Sequence, residues 1–314
     1  MKYYKMLYSF VIFIVVVLLY VHIVSHFKKS QEMEIYETDY ISNTEIQKVF
    51  DFKQPVLFSI QKIVPEIFDG FQLNGGSHEV HVKDTKENDS GNYFVLPFSS
   101  SRALIETDDK GRYFSENNYD MTEEVSDKRF NALDDLLKPG FTIQNIRDIV
   151  YGSKNSYTPV RYTTNYRELF CVLSGKIRLK LTPYKSSKYL YPKIDYIHCE
   201  TRSPVDVWNP PSQFLNEMDK LQFLEFDVPV GNVFYLPPYW FYSIKFVEDE
   251  TYVYKVIYNS PMNILANSPK IVMSYLSGFN KSEPGVVPEI PNKKVVSNIM
   301  DENNKLDVVK TESM

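Results

Sequence analysis

Residues 158–184 read TPVRYTTNYRELFCVLSGKIRLKLTPY, and their pattern decides the fold class. Leu169 to Leu173 is uninterrupted by charge, as in a strand buried on both faces. Ser174-Gly175 follows as a tight turn, expected to close a hairpin. Lys176 to Thr182 then alternates, with Ile177, Leu179 and Leu181 on one face and Lys176, Arg178 and Lys180 on the other. The charged stripe reads as a solvated strand face, with an anion-binding wall as its rival.

The same rhythm continues downstream. Strands are expected at Phe223 to Phe226, Val233 to Leu236 (after a Gly231-Asn232 turn), Phe241 to Phe246 and Thr251 to Tyr258. Upstream lie short strands at Val56 to Phe58 and Glu79 to Val82. Thr122 is placed to cap a helix that carries Glu123 and Glu124 in its first turn. Phe130, Leu133, Leu136 and Leu137 give that helix one apolar face, and Pro139-Gly140 ends it. Short strands with regular turns point to an antiparallel sandwich or barrel, an all-β core with helical decoration.

At the other extreme of composition, Leu7 to Val24 reads LYSFVIFIVVVLLYVHIV, without formal charge. A helix from Leu7 through Phe27 measures roughly 30 Å, about the hydrocarbon thickness of a bilayer. Lys2, Lys5, Lys28 and Lys29 flank it, and Tyr8 and Tyr20 stand at interfacial depth. The run is too long for a signal-peptide core and has no small-residue cleavage site, so it reads as a single-pass anchor. The flanking lysines balance and set no orientation. The expected organisation is an anchor in 1–30, a solvated acidic stalk in 31–50, one domain in 51–280 and a disordered Pro-punctuated, polar tail in 281–314.

The chain has 35 basic and 40 acidic residues, net −5. Residues 1–30 hold four Lys and no acid, so the remainder carries 31 basic against 40 acidic residues. A mildly acidic domain without a basic block is a poor match for nucleic acid. Cys171 and Cys199 form no framework or metal-type cluster. The sequons at Asn88 and Asn280 are no more than this composition yields by chance. Low Gly with abundant Lys, Asn, Ile, Tyr and Phe suggests an AT-rich coding genome.

Two segments resemble the JmjC/cupin-like proteins, whose fold is a double-stranded β-helix, or jelly-roll barrel. Residues 158–184 resemble the family's strand beginning H-x-D with its Gly turn and basic–apolar strand. Residues 228–246, VPVGNVFYLPPYWFYSIKF, resemble its Pro-Gly-Asp turn, strand into Pro and W-W-H. The chain looks most similar to membrane-anchored cupin-like proteins of large DNA viruses, which implies a viral envelope or host membrane. Family enzymes hold Fe(II) with two His and a carboxylate beside 2-oxoglutarate. Carried over, those ligand positions fall on Arg161, Thr163 and Tyr242, none of which can do the original work. Arg cannot deprotonate, Thr offers a neutral hydroxyl, and Tyr would have to lose a phenolic proton. Arg178 is the nearest match to the residue that holds 2-oxoglutarate. The resemblance therefore implies no metal and no cofactor, and a pocket of Arg161, Arg178, Trp240 and Tyr242 with Arg161 and Tyr242 at the former metal centre.

The residues themselves agree. His22 and His26 belong to the apolar segment, His78 and His81 sit three apart on a turn and strand, and His198 is isolated. Asp134-Asp135 and Glu123-Glu124 read as solvated helix faces. Tyr252, Tyr254 and Tyr258 read as packing, as do Tyr235, Tyr239, Trp240, Phe241 and Tyr242, which could otherwise stack on a sugar. No GxSxG, P-loop, HExxH or GxGxxG occurs. The leading expectation is a membrane-anchored, non-catalytic cupin-like module that binds or scaffolds. Its partners are the lipid bilayer and either a protein or a small anionic or sugar ligand. An oxygenase with an unorthodox site and a small-molecule or carbohydrate-binding domain remain alternatives.

Overall fold

The alternating segments all become strands. Lys176–Thr182 and Phe241–Phe246 have the expected bounds, Leu169 to Leu173 extends to Arg167–Ser174, and Thr251 to Tyr258 extends to Asn259. The computed structural model describes residues 2–87, 93–125, 128–196 and 200–279. His198, Cys199, Asn88, Asn280 and the tail lie outside them.

Among the described residues the strands form two sheets, one of nine and one of six. The larger centres on Asn232–Leu236, Arg167–Ser174, Thr251–Asn259 and Gln144–Gly152, neighbours in that order and antiparallel. The smaller runs through Arg161–Tyr162, Phe241–Phe246, Lys176–Thr182 and Leu224–Pro229. From Gln144–Gly152 onward the chain crosses between them repeatedly, so Arg167–Ser174 and Lys176–Thr182, and again Leu224–Pro229, Asn232–Leu236, Phe241–Phe246 and Thr251–Asn259, alternate between sheets.

This corrects the hairpin expected at Ser174-Gly175. Arg167–Ser174 pairs within the larger sheet and Lys176–Thr182 within the smaller, so Gly175 turns a corner between sheets. Its φ is +69°, and a Cβ there would stand 2.3 Å from Thr251 Oγ1. Gly231, at φ +82°, turns the corresponding corner before Asn232–Leu236.

The sheets share a core in which Phe170, Val172, Phe234 and Val253 of the larger meet Ile177, Leu179, Leu181 and Ile244 of the smaller. The opposite face of the larger sheet carries Leu169, Cys171, Tyr235, Tyr254 and Tyr258. Helices cover it through Ile46 and Phe50 on one side and Phe130, Leu133 and Leu137 on the other. Phe130 stacks on Tyr254 with ring centroids 4.7 Å apart. Helical cover is why Leu169 to Leu173 has no polar face.

Three local expectations are corrected. Residues 31–50 are not a free stalk: Tyr36–Glu37 pairs with Val56 and Leu57, and helix Asn43–Phe50, capped by Ser42, buries Ile46 and Phe50. Thr122 does not start a helix; it lies within Tyr119–Glu124 and its hydroxyl donates back to the Asn118 carbonyl. Asp134 is not solvated, because it accepts from Tyr258, Asn145 and Arg147.

The N-terminal helix Lys2–His26 has a stretch, Tyr3–His26, long and apolar enough to cross a membrane, and its apolar side chains are exposed. Its neighbour is the C-terminal helix Pro261–Phe279, which packs against it.

Candidate functional site

Arg161 and Tyr242 are directly paired residues on adjacent strands of the smaller sheet. Tyr242 thus approaches from the neighbouring strand. Both are buried, and Arg161 Nε donates to the Tyr242 hydroxyl at 3.1 Å. The Arg161 fork engages both carboxylate oxygens of Glu116, with Nη1 at 2.7 Å from Oε1, and reaches Glu200 at 3.4 Å. A two-pronged match of this kind is the strong geometry for a guanidinium.

Thr163 joins through Glu168. Its hydroxyl donates to Oε2 of Glu168, Asn165 donates to the same oxygen at 3.0 Å, and the Tyr242 hydroxyl donates to Oε1 at 3.3 Å. Lys255 pairs with Glu168 at 3.4 Å, and Lys83 with Glu116 at 2.8 Å. Arg202 closes the outer edge against Glu200 and Asp195. Asp148 takes the backbone N–H groups of Asn117 and Asn118 at 2.9 and 2.8 Å.

These groups are placed by strand parity. Glu168 and Lys255 share the faces of Phe170 and Val253, which look across at the smaller sheet. Glu200 and Arg202 flank Thr201 on a strand paired with Arg161–Tyr162. Glu116 directly follows Tyr113–Ser115, which pairs with the strand bearing Lys83. Lys83, Arg161, Arg202 and Lys255 therefore balance Glu116, Asp148, Glu168 and Glu200 in formal charge.

The electrostatics follow from that balance. Burial alone would raise the Glu116 carboxyl, but Arg161 and then Lys83 outweigh it and hold it well below the usual range. Burial opposes the charge of Arg161, and Glu116 and Glu200 overcome it, raising its pKa well above the ordinary value. Lys255 is likewise raised, against burial, by Tyr242 and Glu168. Burial dominates at Asp148, which is raised, and at Lys83, which is lowered. It also pushes the Tyr242 phenol up, away from the phenolate that could ligate a cation.

A family model for the cupin-like domain matches residues 66–268. This chain belongs to the cupin-like domain family. A stretch of 94 residues is also 29% identical to JmjC domain-containing protein D of Dictyostelium discoideum. That stretch is 30% of this chain and 21% of the relative, so the chain spans about a fifth of that protein's length.

The residues at the three positions to which the resemblance assigns iron do not fit the metal. A guanidinium already matched to a carboxylate presents only donors, and the phenol beside it is held neutral. Among the described residues, no three His, Cys, Asp or Glu side chains converge as a metal-binding group. His78 instead meets Glu124 at 2.8 Å near the surface, and His81 packs beside the Tyr93 ring.

The structure brings Arg161, Thr163 and Tyr242 into one network, and Trp240 shares the core cluster of Tyr242. Arg178 is not with them, which corrects the expected pocket. It stands on the outer face of Lys176–Thr182, part-exposed and paired with Asp227 at 2.6 Å. The aromatic run also divides: Tyr235 stacks on Phe50, Trp240 and Tyr242 face the core between the sheets, and Tyr239 and Phe241 join Tyr162 in a third cluster.

Sequence reasoning missed Lys83, Glu116, Glu168, Glu200 and Lys255. Two had a signal. Lys255 is the one charge in Thr251 to Tyr258, and Glu168 adjoins an apolar run. A lone charge inside a strand buried on both faces must find a partner. Glu116 and Glu200 gave none, because their partners come from distant segments.

Proposed function

We propose that this chain is a membrane-anchored cupin-like module that binds or scaffolds at a viral envelope or host membrane and does not carry out metal-dependent oxygenation. The observation that supports this reading is the Arg161–Glu116–Tyr242 arrangement at the positions where the resemblance places iron. An interior closed by its own ion pairs needs no cofactor to satisfy its charges. The apolar Tyr3–His26 helix supports the anchoring half. The test is metal content and turnover of the purified full chain after incubation with Fe(II) and 2-oxoglutarate. Far less than stoichiometric iron and no loss of 2-oxoglutarate are expected. Stoichiometric iron with turnover overturns the reading.

A further inference from the structure

At the base of the domain, where the N-terminal helix ends, lies a cleft of about 1380 Å³. Its walls come from the helix end and the segment 28–32 after it, and from residues 36, 51–54, 140–141, 166–167, 260 and 262. The helix is held against the domain beside it. Lys53 Nζ donates to the Ser25 carbonyl, the His26 ring packs edge-on to Tyr166 at 5.7 Å, and Lys29 Nζ sits 3.2 Å from the centre of the Tyr184 ring. A domain fixed in this way to a spanning helix cannot stand off from the bilayer on a free linker.

The cleft has two features that suit a lipid surface. Lys28 and Lys53 line it, above Arg167, whose buried guanidinium is already held by Gln47, Asp51 and Tyr166. Asp51 pairs with Arg167, and Glu32 takes the Gln54 amide. Among the described residues, neither Lys28 nor Lys53 has a carboxylate within ion-pair distance. Burial, then Arg167 and Lys28, push Lys53 down to about 8 while Asp51 pulls the other way, the mark of a cation cluster short of anions. On the rim, Phe141 is 92% exposed and Phe52 73% exposed. Phe141 is held outward by a left-handed backbone, φ 58°. Large apolar side chains so exposed beside a basic cleft are costly in water and suited to an interface.

We propose that this face rests on the bilayer crossed by the protein's own helix, binding phosphate groups of anionic phospholipids at Lys28 and Lys53, with Phe52 and Phe141 inserted at the acyl-chain boundary. The inference rests on the membrane-anchored reading. Charge complementarity and continuity with the spanning helix select lipid over a protein partner.

The test uses the full chain carrying Phe141→Trp in lipid nanodiscs whose acyl chains are brominated near the carbonyl, with the unsubstituted chain as background. In discs containing phosphatidylserine the added indole is quenched. Charge reversal by Lys28→Glu or Lys53→Glu lowers the docked-to-undocked ratio by more than roughly fivefold each, the worth of one basic residue near an anionic surface, because the added carboxylate is repelled as well. An unquenched indole, or quenching indifferent to phosphatidylserine and to charge reversal, overturns the proposal. So does full quenching restored in phosphatidylcholine discs by inorganic phosphate, which would assign the cleft to a soluble anion. Failure of the chain to enter discs overturns the anchor reading and this proposal together; entry without lipid dependence overturns this proposal alone.

Discussion

Arg161 carries its charge where water is absent, so its partners decide what that costs. Replacing it by Ala leaves Glu116 buried beside Lys83 alone and frees the Tyr242 hydroxyl of a donor. The expected loss is about 3–5 kcal/mol, the range for breaking a buried pair from one side. Chemical denaturation of Arg161→Ala measures it, and a change under 1 kcal/mol contradicts the network. Glu116→Ala should be strongly non-additive with it, since both act on one contact. The pH dependence has two limbs. Glu116 and Glu200 are held below the ordinary carboxylate value, so their contribution is present above that value and is lost as pH falls through their folded values. Lys255 is raised, so its contribution is present below the ordinary lysine value and is lost as pH rises through its folded one. From these three groups stability is lost toward acid and toward strong base, with unfolding midpoint against pH as the measurement. In Arg161→Ala the acid limb begins at higher pH, because Glu116 loses the charge that depresses it most.

Elements show where local reading succeeds and where topology takes over. Period-two alternation is a property of a strand and its two faces, so Lys176–Thr182 and Phe241–Phe246 were legible to the residue. Which strand pairs with which is a long-range matter, and Ser174-Gly175 looks the same as a hairpin or a corner. Gly175→Ala tests the strain at that position. At a corner with φ +69° and Thr251 in the way, Ala should cost more than about 1 kcal/mol, beyond the ordinary Gly-to-Ala effect. The 31–50 segment was misread for a related reason. Its acidic start resembles a stalk, while the apolar face of Asn43–Phe50 shows only as Ile46 and Phe50. Phe50 stacks on Tyr235 at 4.2 Å, so Phe50→Ala should destabilise by about 3–5 kcal/mol, the cost of an emptied core position. A solvated stalk would leave the unfolding midpoint unchanged. At the candidate site, Arg161, Thr163 and Tyr242 were found through motif register, whereas Glu116 and Glu200 come from segments without a motif.

At the scale of the whole molecule, two kinds of surface meet in one chain. The domain neutralises its interior charges among themselves, while Leu7 to Val24 has no charge to neutralise and no core to enter. Val15, Val16 and Val17 are each about half exposed, at 48%, 56% and 41%, which water does not tolerate over such a length. Hydrocarbon removes that cost, and helical geometry satisfies the backbone within the segment. The full chain should therefore remain in the membrane pellet at alkaline carbonate, with its intact mass still including residues 1–30. Val15→Arg with Val17→Arg should release it, since each Arg at the centre of a span costs about 2.5–3.5 kcal/mol on insertion scales. These positions face away from the buried cores, so the unfolding transition of the domain should be unchanged in the released protein. Release of the unsubstituted chain at alkaline carbonate, or a mass lacking the apolar segment, would show that the helix is no anchor.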